Sequence, residues 1–413
     1  MTLTVPPQEV RRRLLLRQEI ALIDLRPEHA FAKGHPLFAC QVPLERLAIE
    51  APVRLPRRDV PIVLYDDGEG QTEAGGGVLR DLGYTSIGRL DGGLAGWRAC
   101  GYELFEDVNS YSKAFGELVE ARRHTPSLAA SEVKALIDAK ADMVILDARR
   151  FDEYRTMSIP TAISVPGAEL VLQARALAPD PATRIIVNCA GRTRSLIGAQ
   201  SLINAGVPNP VSALRNGTIG WLLAGQDLDE NQTRRGDEAG PEQVADAKAH
   251  AKEVAYRAGV RRLSPDDLTA LAGDQSRTLY RFDVRSPEAF AASRPAGFRN
   301  APGGQLAQET DAFAPVRGAR IVLADDVGPR ADMTASWLAQ MGWEVYVLDG
   351  GFDGPLEAGP DPAEPRPRGP EGRYRRPYEG LDNATAAMQA YLEWEYGLVD
   401  QLARDATHGF FVI

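Results

Sequence analysis

Three times in this chain an Asp-x-Arg triplet is followed, 42 positions on from its aspartate, by the first residue of a loop: Asp24 to Asp66, Asp147 to Cys189 and Asp283 to Asp325. Chance similarity does not hold one spacing three times; a fixed period marks a repeated structural unit. The surrounding residues repeat in the same order. A short helical pattern opens each unit, over residues 6–17, 129–139 and 264–272. The third has Ser264 as N-cap, Pro265 at the first helical position and Asp267 in the first turn. An apolar run then ends in Asp24-Leu25-Arg26, Asp147-Ala148-Arg149 or Asp283-Val284-Arg285. A short acidic-aromatic helix follows (27–32, 151–155, 287–292), then a second apolar run (61–65, 184–188, 320–324), a Gly-containing loop and a helix (71–82, 195–205, 331–341). Each unit closes with Leu90-Asp91-Gly92-Gly93, Leu214-Arg215-Asn216-Gly217 or Leu348-Asp349-Gly350-Gly351, and Trp97 and Trp221 stand four residues beyond the first two, where they read as core.

The apolar runs are short and β-branched, as buried parallel strands are. Strands alternating with helices predict an α/β fold: three tandem modules, each a parallel sheet with helices on both faces. The length of 413 residues suits roughly two to four domains. We expect modules at 1–110, 125–230 and 255–356, and a Pro-rich linker with a C-terminal helix at 357–413. Residues 103–126 read as a mixed linker, 241–259 as a polar helix with Pro at its start and Gly at its end, and 355–377 as an extended segment. In residues 383–403 an apolar stripe at helical spacing (Ala387, Tyr391, Trp394, Leu398, Leu402) precedes the apolar end Phe410-Phe411-Val412-Ile413. Such a tail docks on its own modules or on a second copy, so a homodimer through it stays open, with packing inside one chain favoured.

Apolar residues make up 44% and charged residues 25%, a globular composition, and the net charge of -10 lacks the basic footprint of a nucleic-acid binder. Three distant cysteines (Cys40, Cys100, Cys189) without a C-x-x-C suit neither a disulfide framework nor a zinc site, and favour a reducing compartment. Five histidines form no metal-spaced pair, and no apolar run approaches the ~20 residues of a membrane span. With no signal-peptide core at the start, the expectation is a cytoplasmic protein that engages neither nucleic acid nor membrane and needs no metal or cofactor.

Only the second unit has a nucleophile at its strand-to-helix loop, in Asn188-Cys189-Ala190-Gly191-Arg192-Thr193-Arg194-Ser195. A buried strand delivers Cys189 to the carboxyl edge of the sheet, and a helix starts directly after it. The loop N–H groups then converge on one point with the helix dipole behind them, which binds an anion and stabilises a thiolate over a thiol. Arg192 and Arg194 add two positive charges. The ordinary reading of a free cysteine is a small buried apolar residue; it suits Cys40 and Cys100, which have no basic loop around them, and it does not explain Gly191 and two arginines in the five positions after Cys189. Asp66-Asp67-Gly68 and Asp325-Asp326-Val327 put a carboxylate at the same place, where it fills the nest and caps the helix. A carboxylate pair on Mg²⁺ is the lesser alternative, since no third ligand is visible. The Asp-x-Arg pairs recur in units without the cysteine, so their role is structural. Arg330 stands at the offset of Arg194, which makes the third unit the nearer of the two silent ones to the active pattern.

The threefold unit, with its Asp-x-Arg, strand–loop–helix and Leu-x-x-Gly, resembles the rhodanese superfamily, and within it the multidomain thiosulfate sulfurtransferases. The resemblance covers residues 1 to about 355 and is strongest at Cys189; Gly34-His35 keeps a family pattern that Met157-Ser158 lacks. It implies a six-residue active-site loop, Cys189 to Arg194, whose cysteine takes a sulfane sulfur from thiosulfate as a persulfide and passes it to cyanide or a thiol. Cys189 is then the catalytic residue, and Ala190, Gly191, Arg192, Thr193, Arg194 and Ser195 bind substrate. The partners implied are a small anionic sulfur donor and a thiophilic acceptor. Two alternatives remain: a persulfide carrier or scaffold for a protein partner, and a Cys-dependent phosphatase or arsenate reductase. Rhodanese-like phosphatases resemble Cys-x5-Arg; here Arg194 makes Cys-x4-Arg.

Overall fold

The computed structural model describes residues 3–236, 239–361 and 383–413; most of the expected extended segment, residues 362–377, lies outside them. Three parallel sheets form. The second contains Ser127–Leu128, Val211–Leu214, Arg184–Asn188, Met143–Asp147 and Ile163–Ser164 in that spatial order, and the third repeats it with Arg261–Leu263, Glu344–Leu348, Arg320–Ala324, Leu279–Asp283 and Arg299–Asn300. The first runs Leu3–Val5, Ile87–Leu90, Ile62–Tyr65, Ile20–Asp24, with Cys40–Gln41 also on Ile20–Asp24. The register explains the constant spacing. Asp24 lies opposite Tyr65, Asp147 opposite Asn188 and Asp283 opposite Ala324, so the next residue of each second strand is the first beyond the sheet edge.

The Asp-x-Arg pairs are buried and bidentate. Arg149 donates from Nε and Nη2 to Asp147 at 2.9 and 2.7 Å, and Nη2 also reaches the Met157 carbonyl at 2.6 Å. Arg26 joins Asp24 to the Gly34 carbonyl and Arg285 joins Asp283 to Ser293 in the same way. The pair ties the strand end to the far end of the helix after it, in all three modules. Trp97 and Trp221 are fully buried, each donating to a backbone carbonyl, of Glu103 and Asp227.

The linkers are more ordered than their composition predicts. Residues 103–126, expected as a mixed linker, contain the helix Ser110–Arg123, with Tyr111, Ala114, Phe115, Leu118 and Val119 buried along one face. Gly116 lets it approach the second module closely: a Cβ there would lie 2.9 Å from Thr193 Cγ2. The polar helix Pro241–Arg257 packs against Leu170–Leu177 of the second module and Pro329–Gln340 of the third. A strand of the third module, Val316–Arg317, adds antiparallel to Ile20–Asp24 of the first. One apolar core accordingly runs through modules one and three, the linker helix and the tail.

The tail docks on its own chain. It forms Ala384–Tyr396 and Leu398–Asp405, with Leu398 and Leu402 buried in the shared core. Phe410 sits among the rings of Phe38, Tyr111 and Phe115, with centroids 5.2–6.5 Å apart. Ile413 N donates to Gln340 at 3.0 Å. No described helix is long and apolar enough to cross a membrane.

Candidate active site

Cys189 follows the strand Arg184–Asn188, and the helix Thr193–Asn204 begins four residues later. The loop is held by its carbonyls. Cys189 O accepts from Thr218 N at 2.9 Å, and Ala190 O accepts from Ile219 N at 3.0 Å and Thr218 Oγ1 at 3.1 Å. Because trans peptides oppose C=O and N–H, the Ala190 and Gly191 amides turn away from the helix Gly217–Leu223 that holds those carbonyls. Ser195 Oγ closes the loop on Arg192 O at 2.8 Å. Gly217 makes the approach possible: its φ is +55°, and a Cβ on it would lie 2.3 Å from Cys189 O. Gly93 stands the same way over Asp66 O, at 2.6 Å. We expect Gly217→Ala to cost more than about 1 kcal/mol through the left-handed φ alone and to displace the loop, read as a lower melting temperature together with lost turnover. Unchanged melting would contradict this account of the closing Gly.

The sister modules show what the nest holds. Asp66 accepts from Gly68 N at 3.1 Å and Gln71 N at 2.6 Å. Asp325 accepts from Val327 N, Gly328 N and Arg330 N at 3.3, 2.9 and 3.0 Å, and Arg330 Nη1 joins at 3.0 Å. A carboxylate therefore sits among the amides two, three and five positions on. In the second module those positions are Gly191, Arg192 and Arg194. Cys189 itself is 2% exposed, at a cavity of about 60 Å³.

The two arginines expected to meet substrate are engaged by protein. All five N–H donors of Arg192 have partners: Nε and Nη2 on Glu117 at 2.7 and 2.9 Å, Nη2 also on Glu120, and Nη1 on Asn216 Oδ1 and Tyr396 OH at 3.1 and 3.0 Å. Its guanidinium also lies over the Tyr396 ring, 4.2 Å from the centroid. Arg194 pairs with Glu153 through two bonds, at 2.7 and 3.0 Å. Thr193 is packed against the linker helix. Arg192, Thr193 and Arg194 still line the cavity at Cys189, and beside them stand residues the sequence did not mark: Lys113 and Ser112 of the linker helix, Gln308, and Tyr391 and Glu395 of the tail. Lys113 pairs with Asp107 and lies 5.1 Å from the Tyr391 ring centroid. The helical spacing of Tyr111, Ala114, Phe115 and Leu118 was the signal that could have exposed the linker helix.

The other thiols are placed differently. Cys40, with no basic loop in sequence, meets a distant arginine in space: Arg54 Nη2 donates to its sulfur at 2.8 Å, and the residue is fully buried. Cys100 accepts from Gln8 Nε2 at 3.3 Å.

A parallel sheet that ends in a buried thiol at a strand-to-helix loop, beside two copies that end in a carboxylate at the same place, defines a class of tandem α/β proteins with one thiol module in three. The rhodanese-like domain profile matches residues 7–100, 129–224 and 264–357. A crystal structure of a thiosulfate sulfurtransferase from Pseudomonas aeruginosa is 47% identical, with 100% of both chains covered and a TM-score of 0.93. A protein from Anabaena sp. is 27% identical over 25% of this chain and 83% of its own, with a TM-score of 0.24. One from Bacillus halodurans is 22% identical over 27% and 85%, with a TM-score of 0.23. No curated protein matches. The chain belongs to the rhodanese family.

Proposed function

We propose that this chain is a thiosulfate sulfurtransferase whose Cys189 carries the transferred sulfur as a persulfide. Full-length similarity to the Pseudomonas aeruginosa enzyme supports the reaction class. One observation supports the intermediate. An aspartate oxygen is three bonds from its Cα, as is the outer sulfur of a cysteine persulfide. The amides around Asp66 and Asp325 therefore hold an anion at the reach a Cys189 persulfide would have.

The Cys189 thiolate attacks the outer sulfur of thiosulfate; an Sγ–S bond forms, and the donor's S–S bond breaks with its electron pair leaving on sulfite. The amides of Gly191, Arg192 and Arg194 stabilise the outer sulfur as it becomes a persulfide anion. Cyanide or a thiol then takes that sulfur and frees Cys189. With its donors occupied, Arg192 holds the loop rather than the anion. The cavity of about 60 Å³ has room for a few waters, enough for one small tetrahedral anion beside Cys189. Thiosulfate with cyanide should give thiocyanate, while an aryl phosphate assayed in parallel should be hydrolysed no faster than background. Faster turnover on the phosphate would replace this reading with a phosphatase.

In this reading the modules span 1–110, 125–230 and 255–356, a cytoplasmic setting keeps the three cysteines reduced, and a homodimer uses the apolar side chains the tail leaves exposed, Tyr396 (50%) and Phe411 (43%).

A further inference from the structure

The cavity at Cys189 has a wall that the repeated modules do not supply. The tail helix Ala384–Tyr396 contributes Glu395, which is 1% exposed. Its Oε1 accepts from Tyr391 OH at 2.9 Å, while Oε2 has no hydrogen-bond partner among the described residues. That oxygen is beside the loop: a Cβ placed on Gly191 would lie 3.4 Å from it. A buried carboxyl oxygen without a partner is costly, more so when ionised. Burial pushes this carboxyl up to about 7; Lys113, the Tyr391 hydroxyl and Arg192 act against the rise, and Glu117 adds to it. The titratable and charged groups around it are thus Asp107, paired with Lys113, before the linker helix, Lys113 and Glu117 on that helix, Cys189, Arg192 and the Glu153-paired Arg194 at the loop, and Tyr391 on its own helix.

Protonated, the carboxyl has a hydrogen on Oε2 to offer into the cavity. Ionised, it presents a negative charge there. We propose that Glu395 is a catalytic residue that selects the sulfur donor: as the acid it donates from Oε2 to an oxygen of the anion that Cys189 attacks, and as the carboxylate it excludes that anion. The proposal rests on the sulfurtransferase reading of the site. In the step, the Sγ–S bond forms and the donor's S–S bond breaks toward sulfite, while Glu395 keeps its proton. Its hydrogen bond strengthens as charge collects on the sulfite oxygens.

The test compares alkylation of Cys189, read site by site by mass spectrometry, with anionic iodoacetate and neutral iodoacetamide. Both consume the same thiolate, so the ratio of their rates cancels ionisation of the thiol. In wild type the iodoacetate:iodoacetamide ratio should fall about tenfold between pH 6 and pH 8, as a carboxyl titrating near neutrality passes from mostly protonated to mostly ionised. Glu395→Gln, which keeps an amide donor and cannot ionise, should hold the ratio constant. Its kcat/KM for thiosulfate should lack the alkaline fall of wild type. A flat ratio in wild type, or an equal fall in Glu395→Gln, overturns the proposal; the wild-type arm needs no variant to fold. The alkylation uses no thiosulfate, so a tenfold fall without any thiosulfate turnover would sink the sulfurtransferase reading and still support Glu395 as the anion selector.

Discussion

Cys189→Ala should lower thiocyanate formation from thiosulfate by on the order of a thousandfold or more, because no other group in the cavity can carry the sulfur. Cys100→Ala should leave turnover within about twofold, since its sulfur only accepts from the Gln8 side chain outside the nest. Cys40→Ala should also keep turnover. Its cost is in stability, about 1–3 kcal/mol, since Arg54 loses a buried acceptor. Comparison of the three variants by initial rate and by thermal melting separates these outcomes. Retained turnover in Cys189→Ala would remove the assignment.

Arg192→Ala should be the most destabilising change at the site. The arginine joins the loop to Glu117 and Glu120 of the linker helix, to Asn216 and to Tyr396 of the tail. Its loss leaves Glu117, 3% exposed, as a buried charge without that partner, and breaking a buried pair costs about 3–5 kcal/mol. Arg192→Lys should recover little, because one ammonium cannot place five donors on four side chains. Burial already holds the Glu117 carboxyl above the usual range, with Arg192 opposing the rise. Without Arg192 the rise is larger, and an acid raised in the folded state binds more protons folded than unfolded. The variant's stability deficit should therefore shrink as pH falls and deepen as pH rises through the carboxyl's folded value. Melting at pH 5 and pH 8 reads this directly. An anion-binding arginine would behave otherwise, raising the thiosulfate KM with melting unchanged, and that result would restore the role its place in the sequence suggests.

What the sequence made legible was local. The three modules, their strand ends and the Cys189 loop follow from hydrophobic runs, turn residues and one spacing. The Asp-x-Arg pairs act two residues apart, and the carboxylates of Asp66 and Asp325 cap the loop that they begin, so both could be read from adjacent positions. What stayed hidden depends on tertiary approach. Two arginines within five residues of a nucleophile look like substrate ligands; the acids that occupy Arg192 lie 75 and 72 positions away. Glu395 follows Trp394 near the end of a helix whose docking buries it, and no periodicity marks a polar residue for burial. The linker helix carried a readable stripe, yet the non-Gly left-handed Asn109 at its start makes the sequence there look like a turn.

The most direct test of the central claim is intact-mass and peptide-mass analysis of the full chain after thiosulfate treatment. The account predicts a gain of one sulfur atom, mapped to Cys189 and absent from Cys189→Ala, that disappears when cyanide is added. No gain of sulfur, or a gain at Cys40 or Cys100 that survives in Cys189→Ala, would contradict it.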